Sequence, residues 1–355
     1  MGKIQTTVIG SYPKYPKLIN RDFNPQWLVV PENNLDSGWK DKDNLESLQK
    51  EAIRWAVREQ EEAGLDVVTD GEQKRGNYVL YHCQHLDGFD FVNKEEKIFR
   101  DGYVRGLVPV VRGQIKAKEH FLVNDFKFLK SLTDRQIKVT IPGPVTIIDS
   151  VKDTFYFDER TLALDLAKAI RAEVLALAEA GCTLVQFDEP VFIRDPQKFF
   201  SYGLEALQAC FEGINNITKQ VHICRGYPKE DVPKTDAARY ARIIEALSTI
   251  DIDAIAVEDA QEHLDLDIFK KFGSKKIILG VVDIGNPRIE TVVEIEDRIN
   301  EVLKVVPPER LLIAPDCGLL LLKPEVAKAK LSNMVLAAKK VNYQLQQLGH
   351  NFNSL

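Results

Sequence analysis

Two side chains that bind metals well, those of His222 and Cys224, lie two residues apart at the end of a short apolar run. In a β-strand, residues two apart point to the same face of the sheet, so the imidazole and the thiolate would converge on one point. Zinc takes such mixed nitrogen and sulfur ligands readily. A histidine and a cysteine in an apolar stretch are also common as ordinary buried residues. The pair alone therefore indicates half of a tetrahedral zinc site, and the positions of further ligands decide between the two interpretations.

Other polar side chains recur at the carboxyl ends of predicted strands, where parallel α/β folds collect their site residues. At or just past such ends lie Ser11, Glu72, Asp188, Glu189, His222, Cys224, Glu258, Asp283 and Cys317. Any one carboxylate there can instead cap the next helix. A set with one histidine, two cysteines and several acids on successive strands favours a shared metal site. The natural ligand set, supplied by three strands, is His222, Cys224, Glu258 and Cys317.

Zinc with two thiolate ligands is suited to binding a further, exogenous thiolate rather than to hydrolysis, because the thiolates make the ion a poorer Lewis acid. Coordination removes the thiol proton near neutral pH and leaves the sulfur nucleophilic. The predicted chemistry is therefore alkylation of a thiol. Glu258 would serve as a hard ligand that leaves when the thiol arrives. Glu72 and Asp188 are suited to binding an ammonium group, which predicts an amino-acid thiol as the substrate.

Apolar runs of strand length that alternate with amphipathic helices position these residues. The predicted strands are Thr6–Ile9, Leu65–Thr69, Ile137–Ile141, Leu184–Phe187, Gln220–Ile223, Ala254–Val257, Ile277–Val282 and Leu311–Ala314. Most of them are followed by a helical segment, which predicts an α/β fold and a (β/α)8 TIM barrel with its active site at the carboxyl ends of the strands. A doubly wound open sheet is the main alternative. We expect a single domain over residues 1–355.

One segment, roughly residues 76–134, breaks this alternation. Its alternating, glycine-punctuated pattern predicts an antiparallel insertion after the second strand. Its basic residues include Arg100, Arg105, Arg112, Lys116 and Lys118. These residues either attract an anionic substrate or partner, or form a solvated hairpin face, which is the more common role of such charges.

Length, charge and cysteine content limit the function further. The chain has 355 residues, 45% of them hydrophobic, which is enough for a full core. The formal charge of -6 gives no support for binding nucleic acid or an anionic membrane. The apolar runs are too short to span a bilayer, and the first residues lack a secretory signal pattern. Five cysteines without regular spacing indicate reduced thiols, so we expect a cytoplasmic protein.

Short motifs follow one another along the chain in a specific order. They are Ile9-Gly10-Ser11-Tyr12-Pro13, Asp70-Gly71-Glu72, Gly143-Pro144-Val145-Thr146, Asp188-Glu189-Pro190, His222-x-Cys224, Asp283-Ile284 with Pro287-Arg288, and Pro315-Asp316-Cys317-Gly318-Leu319. Together they resemble the catalytic C-terminal barrel of the cobalamin-independent methionine synthase family, over nearly the whole chain. The long N-terminal barrel of the full-length synthases has no counterpart here, so we expect a short, core-type member.

This resemblance implies a zinc-bearing barrel that transfers a methyl group to the thiol of homocysteine and so forms methionine. The zinc ligands that it implies are His222, Cys224, Glu258 and Cys317. The residues that it implies for holding homocysteine are Ile9, Ser11, Glu72 and Asp188. The catalytic residues that it implies are Asp188, Glu258 and Asp283.

Three departures from the family pattern fall on the side of the methyl donor. The chain has Gly285 where the family has a histidine thought to donate or relay a proton. It has Ser150 in place of a tryptophan that stacks on folate, and Arg194 in place of an acidic residue. Methyltetrahydrofolate is a reluctant donor because its leaving amine needs a proton. We therefore expect an intact thiol side and an altered donor side.

The donor is then either a methyltetrahydrofolate in a modified pocket or a methyl-corrinoid, free or on a carrier protein. Two alternative functions stay open. One is zinc-dependent attack of another thiol on an epoxide or a methyl donor, as in the related coenzyme M transferases. The other is a non-catalytic zinc-binding relative of the enzymes.

Overall fold

The computed structural model describes residues 3–20, 38–99, 104–226 and 238–352. The strands in these ranges are β1 (Gln5–Thr6), β2 (Val67–Val68), β3 (Leu86–Phe99), β4 (Val104–Ala117), β5 (Gln136–Ile137), β6 (Val139–Pro142), β7 (Lys152–Asp153), β8 (Leu184–Asp188), β9 (Thr218–Ile223), β10 (Ala254–Val257), β11 (Lys276–Gly280) and β12 (Leu311–Ala314). The helices are α1 (Leu45–Ala63), α2 (Tyr78–Cys83), α3 (Phe121–Lys130), α4 (Pro144–Ser150), α5 (Glu159–Glu179), α6 (Val191–Arg194), α7 (Pro196–Lys198), α8 (Leu204–Phe211), α9 (Ala238–Leu247), α10 (Leu266–Phe269), α11 (Val292–Val302) and α12 (Pro324–Phe352). None of these helices combines the length and the apolar character needed to cross a membrane.

Seven strands form one parallel sheet in the order β1-β12-β11-β10-β9-β8-β6, and β2 pairs in parallel with β5. Backbone hydrogen bonds continue this pairing: Asp66 N–H donates to Thr6 O (3.1 Å), and Lys138 N–H donates to Val68 O (2.9 Å). The parallel sheet therefore curls into a TIM-barrel-like arrangement, and the predicted α/β fold is confirmed. The strand predicted over residues 137–141 consists of two strands, β5 and β6, which flank Lys138.

The sheet has apolar side chains on both faces, as expected for parallel strands covered by helices. The main core lies between the strands and the surrounding helices. A smaller, separate cluster lies on the opposite face of the sheet and consists of Ile9, Ala254, Ala256, Ile278, Leu312 and Ala314. His222 is in register with Ala256 across the β9–β10 pair. Because register partners point to the same face, the His222 imidazole lies on this inner face.

Between β2 and β5 the chain forms an antiparallel pair, β3 with β4, flanked by α2 and α3. Strand β4 also pairs in parallel with the short β7. The guanidinium of Arg112 contacts Asp90 (3.1 Å) and Glu95 (2.9 Å) within the hairpin. Arg100 lies outside the described residues. At Arg112, therefore, the basic charge is paired locally on a solvated face.

Lys138 is buried in the sheet with only 1% of its surface exposed. Its Nζ donates to Val8 O (2.7 Å) and to Gln186 Oε1 (2.8 Å). Burial lowers the pKa of Lys138 from 10.5 to about 7, although the negative charge of Asp188 opposes this shift. Between those pH values the unfolded chain binds more protons than the folded chain, so this lysine makes the free energy of unfolding rise with pH.

We expect Lys138→Met to remove this part of the pH dependence. Between about pH 7 and 9.5, the native chain should gain on the order of 3 kcal/mol of stability relative to the variant. Urea unfolding of both proteins, followed by circular dichroism at the two pH values, measures the difference. A stability difference that is equal at both pH values would contradict the role given to the buried ammonium group.

Candidate metal centre

His222, Cys224 and Cys317 form a compact cluster at the carboxyl ends of β9 and β12. Their ligand atoms all lie within 4.8 Å of one another, and the two Sγ atoms are 3.9 Å apart. All three side chains are buried. The structure thus brings together three of the four residues that the sequence suggests as metal ligands.

Each residue of the cluster is positioned by its local backbone. His222 belongs to β9, and Cys224 follows directly after the strand. The chain then turns at Gly226, whose φ is positive (83°) and whose N–H donates to Cys224 Sγ (3.3 Å). Glycine suits this position because other residues rarely adopt a left-handed backbone. The amide contact also favours a negative charge on the sulfur.

Asp316 fixes the segment that carries Cys317. Its carboxylate accepts backbone N–H bonds from Asp259 (2.9 Å), Ala260 (2.9 Å) and Gln261 (3.1 Å), in the loop that follows β10. Burial raises the pKa of Asp316 to about 7, an effect that the charge of Glu258 adds to and that these amide bonds oppose. Asp316 therefore ties the loop after β12 to the loop after β10.

The His222 imidazole is 2% exposed, and neither Nδ1 nor Nε2 has a hydrogen-bond partner among the described residues. A buried polar group without a partner is unfavourable and uncommon in native proteins. A metal ion that accepts a nitrogen lone pair would account for this arrangement. One nitrogen and two sulfur donors are a set that fits zinc.

The contact between the two thiols of the cluster shifts their pKa values in opposite directions. The contact with Cys317 holds the pKa of Cys224 well below its usual value, and His222 adds to this effect, while burial opposes it. The pKa of Cys317 is raised correspondingly, first by the Cys224 contact and then by burial. Because zinc binds cysteine as the thiolate, metal binding here would release a thiol proton.

Glu258, the fourth suggested ligand, is fully buried beside the cluster but does not belong to the group of mutually close ligand atoms. Its Oε2 accepts hydrogen bonds from Arg225 N (2.9 Å), Arg225 Nε (3.0 Å) and Tyr240 OH (3.2 Å). Sequence reasoning missed both partners. The position of Arg225 next to Cys224 could have identified it as a residue of the site, whereas nothing in the sequence pointed to Tyr240.

Asp188 lies next to the cluster, because it is in register with His222 across the β8–β9 pair. Its Oδ1 accepts from Gln186 Nε2 (2.8 Å). Burial raises the pKa of Asp188 to about 7; the nearby charges of Glu72 and Cys224 add to the shift, and His222 opposes it. An ammonium group placed here would favour the ionised form of this carboxylate.

Glu72 adopts a left-handed backbone with φ of 56°, which is unusual for a residue with a side chain. Its Oε1 accepts from Thr140 Oγ1 (2.8 Å) and Arg75 Nη1 (3.3 Å). Strained positions of this kind concentrate at functional sites. A Cβ at Gly10 would lie 2.5 Å from Glu72 Oε1, so the glycine makes room for this carboxylate.

Ile9 and Ser11 lie beside the same groups. Ile9 O accepts from Gln186 Nε2 (2.9 Å), the amide that also contacts Asp188. Ser11 O accepts from the N–H of Leu319 (2.9 Å), two residues after Cys317. The first strand end is therefore connected both to the carboxylate side and to the thiol side of the cluster.

Glu189 has a different role from its neighbour in the sequence. It is fully buried and accepts from Val145 N (3.0 Å), Thr146 N (3.0 Å) and Thr146 Oγ1 (2.7 Å) at the start of α4. Burial raises its pKa to about 8, although these hydrogen bonds oppose the shift. Glu189 thus anchors α4 to β8. It is a strand-end acid that caps the next helix, which is the alternative role given above for such carboxylates.

Asp283 does not belong to the group of mutually close ligand residues. Its Oδ1 accepts from Gln261 Nε2 (2.5 Å) and Gly285 N (2.8 Å). Together with Arg288 and Glu294, it lines a cavity of about 710 Å³ that His222 does not line. At the other donor-side positions, Ser150 Oγ donates to Thr146 O, and Arg194 Nη2 donates to Asp149 Oδ2.

Comparison with known proteins gives a consistent set of relatives. A family model described as "Cobalamin-independent synthase, Catalytic domain" matches residues 4–340. The chain is 32% identical over 352 residues to a methionine synthase of Saccharolobus solfataricus, with 98% of each protein covered. It is 30% identical over 348 residues to a methionine synthase of Thermococcus kodakarensis, covering 98% of this chain and 96% of the relative.

Solved structures are similar as well. A B12-independent methionine synthase from Shewanella sp. W3-18-1 in complex with selenomethionine has a TM-score of 0.86 and 30% identity, covering 98% of this chain and 100% of that one. A methyltransferase from Methanosarcina mazei, with a TM-score of 0.57 and 15% identity over 96% of this chain and 95% of that one, is similar in fold alone.

Gly280 offers a test of the role of Asp316, because a Cβ at Gly280 would lie 2.4 Å from Asp316 Oδ1 and 2.9 Å from Val257 O. We expect Gly280→Ala to lower the free energy of unfolding by about 2 kcal/mol through overpacking. We also expect it to weaken zinc binding about tenfold, because Cys317 loses its support.

The control is Gly113→Ala, since a Cβ at Gly113 has Gly88 Cα as its nearest neighbour at 3.7 Å, an ordinary contact. Thermal unfolding of the metal-free proteins and zinc titration against a colorimetric chelator supply the two measurements. Unchanged zinc affinity in Gly280→Ala would show that Asp316 does not position Cys317.

Proposed function

Because the chain belongs to the cobalamin-independent methionine synthase family, we propose that it transfers a methyl group to the thiol of homocysteine and forms methionine. The observation that carries this proposal is the buried cluster of His222, Cys224 and Cys317, with both nitrogens of its imidazole unpartnered among the described residues. A non-catalytic zinc-binding relative would keep the same metal donors, so the methylation assay below distinguishes it from an active enzyme.

Zinc is the cofactor in this proposal, held by His222, Cys224 and Cys317 with Glu258 as the fourth, displaceable ligand. When bound, zinc would lower the pKa of the substrate thiol and keep the sulfur nucleophilic near neutral pH. The chain supplies the remaining functions. The inner face of the sheet would bury the reacting sulfur. The carboxylates of Glu72 and Asp188 are held by neighbouring side chains, and that of Glu258 by the backbone N–H and the guanidinium of Arg225.

Glu72, Asp188, Ile9 and Ser11 form the homocysteine site in this proposal. Two buried acids near each other favour binding of one cationic group, because the ammonium neutralises charges that otherwise repel. The perturbed pKa of Asp188, raised to about 7 chiefly by burial, supports this assignment. We assign Asp188 and Glu258 to the thiol side of catalysis and Asp283 to the donor side.

The methyl donor in this proposal is a methyltetrahydrofolate or a methyl-corrinoid, free or on a carrier protein. Gly285 provides no side chain for a proton relay, and Ser150 provides no ring for stacking. A methyl-corrinoid avoids the need to protonate a leaving amine, so its use would suit a donor side without these groups.

We also propose that residues 1–355 form a single (β/α)8 domain in which β3 and β4 are an insertion after the second barrel strand. The hydrogen bonds from Asp66 to Thr6 and from Lys138 to Val68 support closure of the barrel. All five cysteines lie in the described ranges and are free thiols, which supports a cytoplasmic location.

Removal of one thiolate ligand should abolish both metal binding and methyl transfer. We expect Cys317→Ser to lose most of its zinc and to lower homocysteine methylation at least about a hundredfold, because the site then keeps only one thiolate and Glu258 is a displaceable ligand. Cys182→Ser is the control, since Cys182 is also buried but its Sγ contacts only Leu184 O (3.4 Å) among the hydrogen bonds described.

The measurements are zinc content by atomic emission and methionine formation with methyltetrahydrofolate or methylcobalamin supplied separately. Activity with one donor identifies the donor class. A zinc-loaded native chain that forms methionine with neither donor, or a Cys317→Ser variant with full activity, would contradict the proposed function.

The ammonium site can be tested with a thiol that lacks the amino group. We expect Asp188→Asn to raise the KM for homocysteine at least about tenfold, because it removes a charge-assisted contact to the ammonium. With 4-mercaptobutyrate, which has the thiol and the carboxylate only, the native chain and the variant should differ by less than about twofold. Equal losses with both thiols would show that Asp188 acts on the sulfur rather than on the ammonium.

A further inference from the structure

The carboxylate of Glu258 has a second set of partners beside the metal cluster. Arg225 contacts Glu258 Oε2 with both its backbone N–H and its guanidinium Nε, and the Tyr240 hydroxyl donates to the same oxygen. The side chains of Arg225 and Glu258 are 2% and 0% exposed. Arg225 and Glu258 thus form a buried ion pair, and Glu258 Oε2 is the acceptor of these three hydrogen bonds.

The partners of Glu258 are themselves held in place. Arg225 directly follows Cys224, and its Nη1 donates to Glu262 Oε2 (2.7 Å), so the guanidinium is fixed at both ends. Tyr240 is completely buried in α9 and reaches the site from outside the sheet. A sulfur ligand and a guanidinium on successive residues therefore share one short turn.

A carboxylate oxygen that accepts three hydrogen bonds from these donors is a weaker ligand for a cation, because the donors and the cation compete for the same lone pairs. Conversely, a carboxylate that pairs with a buried guanidinium can leave a metal ion without becoming an unpaired buried charge. The arrangement therefore reduces the free energy needed to exchange Glu258 for another ligand.

We infer that Arg225 and Tyr240 are positioning residues that hold Glu258 away from the metal when the substrate thiol binds. This inference rests on the proposed function, since it needs a thiol that takes the fourth position. With zinc held by His222, Cys224 and Cys317, an incoming thiol would give up its proton to solvent and take the position of Glu258, and the displaced carboxylate would keep its charge in the contact with Arg225. The affinity for homocysteine is thus set partly by residues that do not touch it.

The test uses the full chain loaded with Co²⁺ in place of zinc, whose visible absorption reports its ligands. Homocysteine is titrated into the native chain, Arg225→Met, Glu258→Gln and the double variant. We expect Arg225→Met to bind homocysteine about tenfold more weakly and Co²⁺ more tightly, because Glu258 then stays on the ion. In the Glu258→Gln background, Arg225→Met should change the homocysteine affinity by less than about twofold.

Tyr240→Phe supplies a milder variant that removes one hydroxyl and keeps the ion pair. It should weaken homocysteine binding in the same direction as Arg225→Met but by a smaller factor, about twofold to threefold. If Arg225→Met does not fold, Tyr240→Phe in the native and Glu258→Gln backgrounds completes the same comparison.

Arg298 provides the control for the loss of a buried ion pair. Its guanidinium contacts Asp259, the residue after Glu258, through Nε (2.6 Å) and Nη2 (2.8 Å), and both side chains are buried. Arg298→Met should be destabilised in thermal unfolding, as Arg225→Met is, but should bind homocysteine within about twofold of the native chain.

Three outcomes separate the possibilities. A native Co²⁺ chain whose spectrum does not respond to homocysteine overturns the proposed function and this inference with it. A native chain that responds, with Arg225→Met equally impaired in both backgrounds, overturns the inference alone and leaves a structural role for Arg225. Impairment that disappears in the Glu258→Gln background supports the inference.

Discussion

The burial of the His222 imidazole, with both ring nitrogens lacking a hydrogen-bond partner in the described structure, is the constraint on which the site depends. Neighbouring parallel strands fix its place on the inner face, and the loops after β9 and β12 bring two sulfurs to it. An unpartnered buried imidazole is tolerated where another interaction compensates for the lost water. A cation bound by the ring and the two sulfurs would provide this compensation, and it would also offset the negative charge of thiolate ligands.

The acids around the cluster extend the same argument. Burial raises the pKa of Asp188 and of Asp316 to about 7. The two acids differ in their hydrogen bonds within the described part of the chain: Asp316 accepts from three backbone amides, whereas Asp188 accepts from the side-chain amide of Gln186. The carboxylate of Asp316 therefore already has hydrogen-bond partners, and it connects the loop after β12 to the loop after β10. Asp188 keeps acceptor capacity for a cationic group, which is the property that a site for an amino-acid ammonium requires.

The sequence was sufficient for the features that depend on local pattern. Period-two and period-3.6 patterns predict the alternation of strands and helices, and residues at strand ends follow from it. The partners of those residues were not predictable, because they come from distant segments: Tyr240 reaches Glu258 from α9, and Asp316 binds amides 55 to 57 positions earlier in the chain. Strand-end acids also look alike in a sequence. Only packing distinguishes Glu189, which caps α4, from Asp188, which points to the cluster.

The placement of α4 explains how one half of such a site can change while the other stays constant. Glu189 binds the first turn of α4 through two amides and a hydroxyl, and this fixes the helix to β8 beside Asp188. Two of the departures from the family pattern lie at the other end of this helix or against it: Ser150 is its last residue and bonds within the helix, and Arg194, in α6, pairs with Asp149. Glu189 therefore contacts one end of α4 and these two residues contact the other, so a change at the last turn leaves the contacts of Glu189 with the first turn in place. An altered donor side would then require no change in the metal cluster.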